Sequence, residues 1–306
     1  MARPRFDVSV PANGYHWWYF DATSDDGQNG LTIIGFIGSV FSPYYRRARK
    51  HSEANPESHC AINVALYGSS SRWAMTERNA SYLKRDAQNF TVGPSAMVWD
   101  GTGLTIEINE RCAPLPLNLS GKVRLRVDHF YDAPIALDQD GKHFWQAVAP
   151  RSRVQVEFEK PRISWVGCAY HDMNWGVEPL EVGFKNWTWA RTHTPSGTQV
   201  LYDVEHRDGS RFMFGRGFKD GHVTKREIPP LYELKRGIWG MARPVHSETA
   251  PHLIAKLEDT PFYTRNQVAM TLDGAPCKAF HESLSLDRFV NTGVQRMLPF
   301  RMRRIG

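Results

Sequence analysis

Val123-Arg124-Leu125-Arg126-Val127 alternates apolar and cationic side chains one residue at a time. A period of two puts three apolar residues on one face of a strand and two arginines on the other. The pattern returns in Leu104-Thr105-Ile106-Glu107-Ile108 and in Val154-Gln155-Val156-Glu157-Phe158. Each predicts a half-buried strand. Leu31 to Phe41 is a longer β-rich run broken by Gly35 and Gly38. Glycines inside such a run mark bulges or barrel corners. Asp-Gly pairs punctuate the C-terminal half, in Arg207-Asp208-Gly209, Lys219-Asp220-Gly221 and Leu272-Asp273-Gly274. Such pairs favour tight hairpins. The first links Val200–His206 to Phe212–Phe214. Helical periodicity is scarce, and the basic Pro43–Pro56 segment predicts a loop or a short helix. Many short strands with hairpin turns predict an all-β chain of sandwiches or barrels.

The 306 residues suffice for one large or two ordinary domains. The least strand-like central stretch runs from Asp132 to Ser152 and holds Pro134, Asp140-Gly141 and Pro150. A boundary there divides the chain into residues 1–150 and 151–306, each suited to a small barrel.

A hydrophobic fraction of 41% and a charged fraction of 23% predict an ordinary core. Aromatics are abundant, with 10 Trp, 11 Tyr and 16 Phe, which suits strands and pockets for elongated apolar ligands. The net charge of +6 is concentrated in Arg46, Arg47, Arg49 and Lys50 and in Arg301, Arg303 and Arg304. These clusters read as solvated surface or as contacts to anionic lipid headgroups. No helix-turn-helix, zinc-finger or RNP-like pattern accompanies the charge, which argues against nucleic acid. No apolar run is long enough for a membrane helix, and Met1–Val10 has no signal-peptide core. The cysteines, Cys60, Cys112, Cys168 and Cys277, lack metal-type or CxxC spacing and read as reduced, which suits the cytoplasm.

Several chemistries lack their motifs. Gly215-Arg216-Gly217 is followed by Asp220 where a dinucleotide fingerprint needs its third glycine. Gly93-Pro94-Ser95-Ala96-Met97 is not a nucleophile elbow. There is no P-loop and no HExxH, and the 12 histidines are scattered. Neither a cofactor nor a metal is expected.

Two segments remain dense in functional side chains, His143-Phe144-Trp145 and Tyr170-His171-Asp172-Met173-Asn174-Trp175-Gly176. In a strand, Tyr170 and Asp172 share one face, as do His143 and Trp145, while His171 points away from Asp172. A carboxyl in an aromatic cavity loses solvation, stays protonated more readily and acts as a general acid. Ring faces stabilise a developing cation by about 0.5–2 kcal/mol each. This combination suits protonation of an alkene. The same residues also have plainer readings: Asp172 as an Asx turn cap, and Trp145 and Trp175 as core.

These segments resemble the carotenoid 1,2-hydratases, or hydroxyneurosporene synthases, of photosynthetic bacteria. The likeness includes Gly14-Tyr15-His16-Trp17-Trp18-Tyr19-Phe20-Asp21, Ile34–Tyr45 and Tyr170–Gly176, and extends over nearly the whole chain. The family pattern has histidine where this chain has Met173, which argues against a catalytic role at that position. The resemblance implies Asp172 as proton donor, His143 as its partner, and Trp145 and Tyr170 as cation-stabilising or positioning residues. Trp175, Trp17, Tyr19 and Trp187 are the aromatic candidates for substrate contact. The implied reaction adds water across the C1–C2 double bond of an acyclic carotene such as neurosporene or lycopene, with no cofactor. The implied fold is a pair of lipocalin-like barrels. A carotene substrate also implies peripheral contact with membrane lipid. A cyclase of the same fold and an apolar-ligand carrier are the competing readings.

Overall fold

The computed structural model describes residues 4–306. The chain is all-β in character and divides into two compact units. One holds the chain up to Pro179 together with Arg296–Gly306, and the other is Leu180–Gln295. The division therefore falls at Pro179–Leu180 rather than near residue 150. The physical reason is a long hairpin: the strand His143–Lys160 runs straight through position 150 and pairs with Ile163–Gly176. Pro134 and Asp140-Gly141 precede this strand and mark no boundary.

The first unit is built on a twelve-stranded sheet. At its centre the Tyr19 strand, Tyr15–Ser24, lies between Gly30–Ile37 and the Asp172 strand, Ile163–Gly176. The Trp145 strand, His143–Lys160, follows, and then Asn118–Val127 and Gly103–Arg111. All these pairings are antiparallel. The alternating runs behave as their period requires. In Gly103–Arg111 the residues from Leu104 to Arg111 alternate inward and outward, and Val123, Leu125, Val154, Val156 and Phe158 are buried. They join one apolar core with Trp18, Phe20, Ile33, Val64 and Phe90.

The predicted Leu31–Phe41 strand ends at Ile37, where Gly38 turns into the left-handed region at φ 65°. A Cβ there would lie 2.4 Å from the Gly14 carbonyl oxygen. Ser42 then caps a short helix, Pro43–Arg49, accepting from the Tyr44 and Tyr45 amides.

The second unit carries a seven-stranded antiparallel sheet, ordered His222–Arg226, Arg211–Lys219, Gly197–His206, Phe184–Thr194, Ala275–Ser285, Tyr263–Leu272 and His252–Asp259. Leu201, Val245, Val268 and Met270 are among its core residues. Two of the Asp-Gly pairs make tight hairpins with positive φ at both central residues: Asp220 at 48° and Gly221 at 80°, and Asp273 at 53° and Gly274 at 70°. That backbone matches the twist of the flanking strands.

The C-terminal basic cluster is partly structural. Arg303–Ile305 forms a parallel strand with Thr76–Arg78. Arg304 pairs with buried Glu77 and donates to the Ser58 carbonyl at 3.1 Å. Arg301 stacks 4.2 Å over Trp73. Arg304 is therefore spent on an internal ion pair, which argues against it as a lipid contact. In the first cluster Arg49 lies over Tyr45, while Arg47 and Lys50 face solvent.

Candidate active site

The middle of the first unit's sheet is buried on both faces, so alternate residues of one strand enter different environments. Tyr170, Asp172 and Asn174 lie on the face opposite the apolar core, while Ala169, His171 and Met173 point toward it. Register aligns the neighbours. Tyr19 stands opposite Asp172, Asp21 opposite Tyr170, and Trp17 opposite Asn174. On the other side Ala147 stands opposite Asp172 and Trp145 opposite Asn174.

Asp172 is 4% exposed. Its Oδ2 accepts from the indole Nε1–H of Trp145 at 2.8 Å and from the Tyr170 hydroxyl at 2.8 Å. Trp145 and Tyr170 are themselves buried. Small Ala147 opposite Asp172 leaves the space above the carboxyl to those larger side chains. The structure thus brings Trp145, Tyr170 and Asp172 together, and Trp145 spends its only side-chain polar atom on the carboxyl.

Trp17 and Tyr19 line the same face. The Tyr19 ring lies 6.3 Å from that of Tyr170, edge on. Trp17 stacks at 5.0 Å on Tyr15. A second carboxyl, Asp21, is fully buried beside them and accepts from the Tyr19 hydroxyl at 3.1 Å. Asp21 is not among the site residues expected from the sequence. The signal was present, because Trp17, Tyr19 and Asp21 share a period of two.

His143 lies elsewhere on this face. It stands opposite Gly176, four positions from Asp172. At about 3.4 Å per residue that is about 14 Å along the strand, too far for the imidazole to touch the carboxyl. Its Nδ1 is 3.0 Å from the Tyr15 hydroxyl, and Nε2 is 3.5 Å from Glu178. Burial lowers its pKa below the usual imidazole value, opposed by Asp138 and Glu178. A Cβ at position 176 would come within 2.7 Å of both His143 Nδ1 and the Tyr15 ring, so the glycine of the Trp175-Gly176 pair makes room for this contact.

Two tryptophans fall outside the group. Trp175 occupies the core-side face, stacked at 5.3 Å on Phe144 and 5.8 Å from His16. Trp187 belongs to the second unit, near Phe184 and Tyr202. It lines a cavity of about 290 Å³ whose walls include Asp203, Glu205 and Arg211. His171 and Met173 also face the core. His171 stacks on Phe20 at 4.0 Å and donates from Nδ1 to the Tyr19 carbonyl. Burial brings its pKa down to about 3.

Fold and site together define a β-sheet protein with an indole- and phenol-bound carboxyl on a buried aromatic face. A family model described as carotenoid hydratase CrtC matches residues 33–306, and the chain belongs to that family. It is 46% identical over 308 residues to an acyclic carotenoid 1,2-hydratase of Thiocapsa roseopersicina, covering 99% of this chain and 76% of that one. It is 44% identical to the enzyme of the same name from Rubrivivax gelatinosus, covering 98% and 76%. Among solved structures, a Nitrosomonas europaea protein described as an AttH superposes with a TM-score of 0.60 at 14% identity, covering 93% of this chain and 99% of that one. That likeness concerns the fold alone.

Proposed function

We propose that this protein is an acyclic carotenoid 1,2-hydratase in which Asp172 supplies the proton. The observation that carries the reading is the pair of hydrogen bonds from Trp145 and Tyr170 to one oxygen, Oδ2, of a buried carboxyl. In this reading Oδ1 carries the proton that is transferred, while Oδ2 is held by the two donors. The proposed cycle starts from the protonated carboxyl. When Oδ1 gives its proton to C2 of the terminal double bond, negative charge spreads onto Oδ2, where two fixed donors already point. Donors aimed at developing charge lower the barrier of the charge-forming step.

The cation left at C1 is tertiary. The aromatic rings of Tyr19, Tyr170 and Trp17, on the same sheet face as the carboxyl, are the candidates to stabilise it. Water adds to C1 and its surplus proton restores the carboxyl, so alkene and water give a tertiary alcohol with no net change in the enzyme. No cofactor enters this cycle. In this reading His143 is a positioning residue: it holds Tyr15, on which Trp17 stacks. The fold belongs with lipocalin-like proteins, one barrel-like sheet per unit, and the protein meets the bilayer peripherally. Among the described residues no helix is long and apolar enough to cross a membrane.

The test is product analysis with detergent-dispersed neurosporene or lycopene in heavy water, without added cofactor. Hydration predicts a 1-hydroxylated product with one non-exchangeable deuterium at C2. A product isomeric with the substrate, lacking oxygen from water, would replace hydration with cyclisation. Unaltered carotene recovered in complex with the protein would make it a carrier.

A further inference from the structure

The second unit carries a short ribbon, Leu231–Leu234 paired with Arg243–His246. Its connection begins Lys235-Arg236-Gly237-Ile238-Trp239-Gly240. Ile238 is 91% exposed and Trp239 47%, although they adjoin each other at the tip. Single exposed apolar residues are common, but an adjacent Ile-Trp pair held out into water asks for a partner.

The exposure is not looseness. The Gly240 amide donates to the Gly237 carbonyl at 3.0 Å, and the Ile238 amide donates to Asp259 Oδ2 at 3.0 Å. Arg288 donates to the Trp239 carbonyl at 2.8 Å and to the Gly240 carbonyl at 3.3 Å. Buried Arg243 donates to the Lys235 carbonyl at 2.9 Å and to Asp259 at 3.1 Å. A side chain at Gly237 would collide with Asp259, which lies 2.0 Å from the Cβ position. Two arginines and one aspartate thus fix the backbone in a form that presents its apolar pair outward. Asp259 is occupied inside the turn, while Lys235 and Arg236 stay exposed beside the tip.

We infer that the Ile238–Trp239 turn docks the protein on a lipid bilayer bearing anionic headgroups. Trp suits the headgroup level, an aliphatic side chain suits the acyl boundary below it, and flanking cations suit an anionic surface. The motive rests on the carotene reading, since an acyclic carotene resides in the bilayer, but the surface is defined by the turn itself. Each basic residue near an anionic membrane is worth about fivefold in affinity.

The experiment is flotation of the full chain with carotene-free phosphatidylcholine/phosphatidylglycerol vesicles. The protein should float with them. The double variant Ile238→Ser, Trp239→Ser should bind at least about tenfold more weakly, with unchanged circular dichroism and unchanged turnover of detergent-dispersed carotene. Lys235→Gln with Arg236→Gln should weaken binding and reduce its salt sensitivity. Absence of vesicle binding by the wild type, or equal binding by the Ile238/Trp239 double variant, overturns the inference. So does a dimer that only this double variant abolishes while vesicle binding persists, because the turn would then join two copies. Vesicle binding is read without substrate. A protein that floats through this turn yet does not hydrate carotene removes the hydratase reading alone.

Discussion

Asp172 and His171 are adjacent in sequence and both buried, yet they inhabit opposite faces of one strand with opposite consequences. His171 enters the apolar core against Phe20, and burial holds it neutral with a pKa of about 3. It is closed to proton transfer near neutral pH. Asp172 enters a face furnished with an indole N–H, a phenol O–H and a second carboxyl, Asp21. The difference teaches that burial alone does not set what a titratable group can do. What distinguishes the site face is the set of donors aimed at one oxygen.

The sharpest way to break this contrast is at the carboxyl. Asp172→Asn keeps an oxygen acceptor for Trp145 and Tyr170 but removes the transferable proton. Turnover should fall by about 10⁴-fold, the upper range for a general acid, with the fold retained. Product formation from an acyclic carotene, with circular dichroism alongside, checks it. On the core face Phe20→Ala should behave in the reverse manner. Removing a fully buried phenyl from beneath His171 should cost about 3–5 kcal/mol of stability by denaturant titration, while molecules that remain folded keep their turnover.

Smaller effects sharpen the roles of the donors. Tyr170→Phe and Trp145→Phe each remove one hydrogen bond to Oδ2 and should slow turnover by about 10²-fold. Equal loss of substrate binding with unchanged turnover would assign them to binding instead. The smallest effect is on pH dependence of stability. His16 and His171 have folded pKa values of about 3 against 6.5 in the unfolded chain, in both cases chiefly through burial. On acidification below about pH 6.5 the unfolded chain takes up protons first, so stability falls with pH. The slope approaches about 1.4 kcal/mol per pH unit for each histidine. Denaturant midpoints between about pH 5 and 7 check this, and His16→Phe should flatten the slope.

Much of this arrangement was legible in the sequence. The period of two in Val123–Val127 and Val154–Phe158 revealed strands because one face is apolar and the other wet. It also placed Tyr170 with Asp172 and His171 opposite. The central sheet was harder to read, because Tyr15–Ser24 and Gly30–Ile37 are almost wholly buried on both faces and lose the alternation. The domain boundary misled for a related reason: the Pro-containing segment before His143 precedes a strand instead of separating two folds. Distances across strands were not legible at all. His143 and Trp145 look equivalent in sequence, but register carries Trp145 to the carboxyl and leaves His143 opposite Gly176. Trp175 follows the same logic, since an odd position in this strand faces the core.

The central claim is that Asp172 delivers the proton that begins hydration. Its most direct test is a single-turnover reaction with lycopene in oxygen-18 water, comparing wild type with Asp172→Asn at matched folded concentration. The account predicts 1-hydroxylated product carrying one oxygen-18 from the wild type and essentially none from the variant. Equal yields of labelled product from both proteins would contradict it.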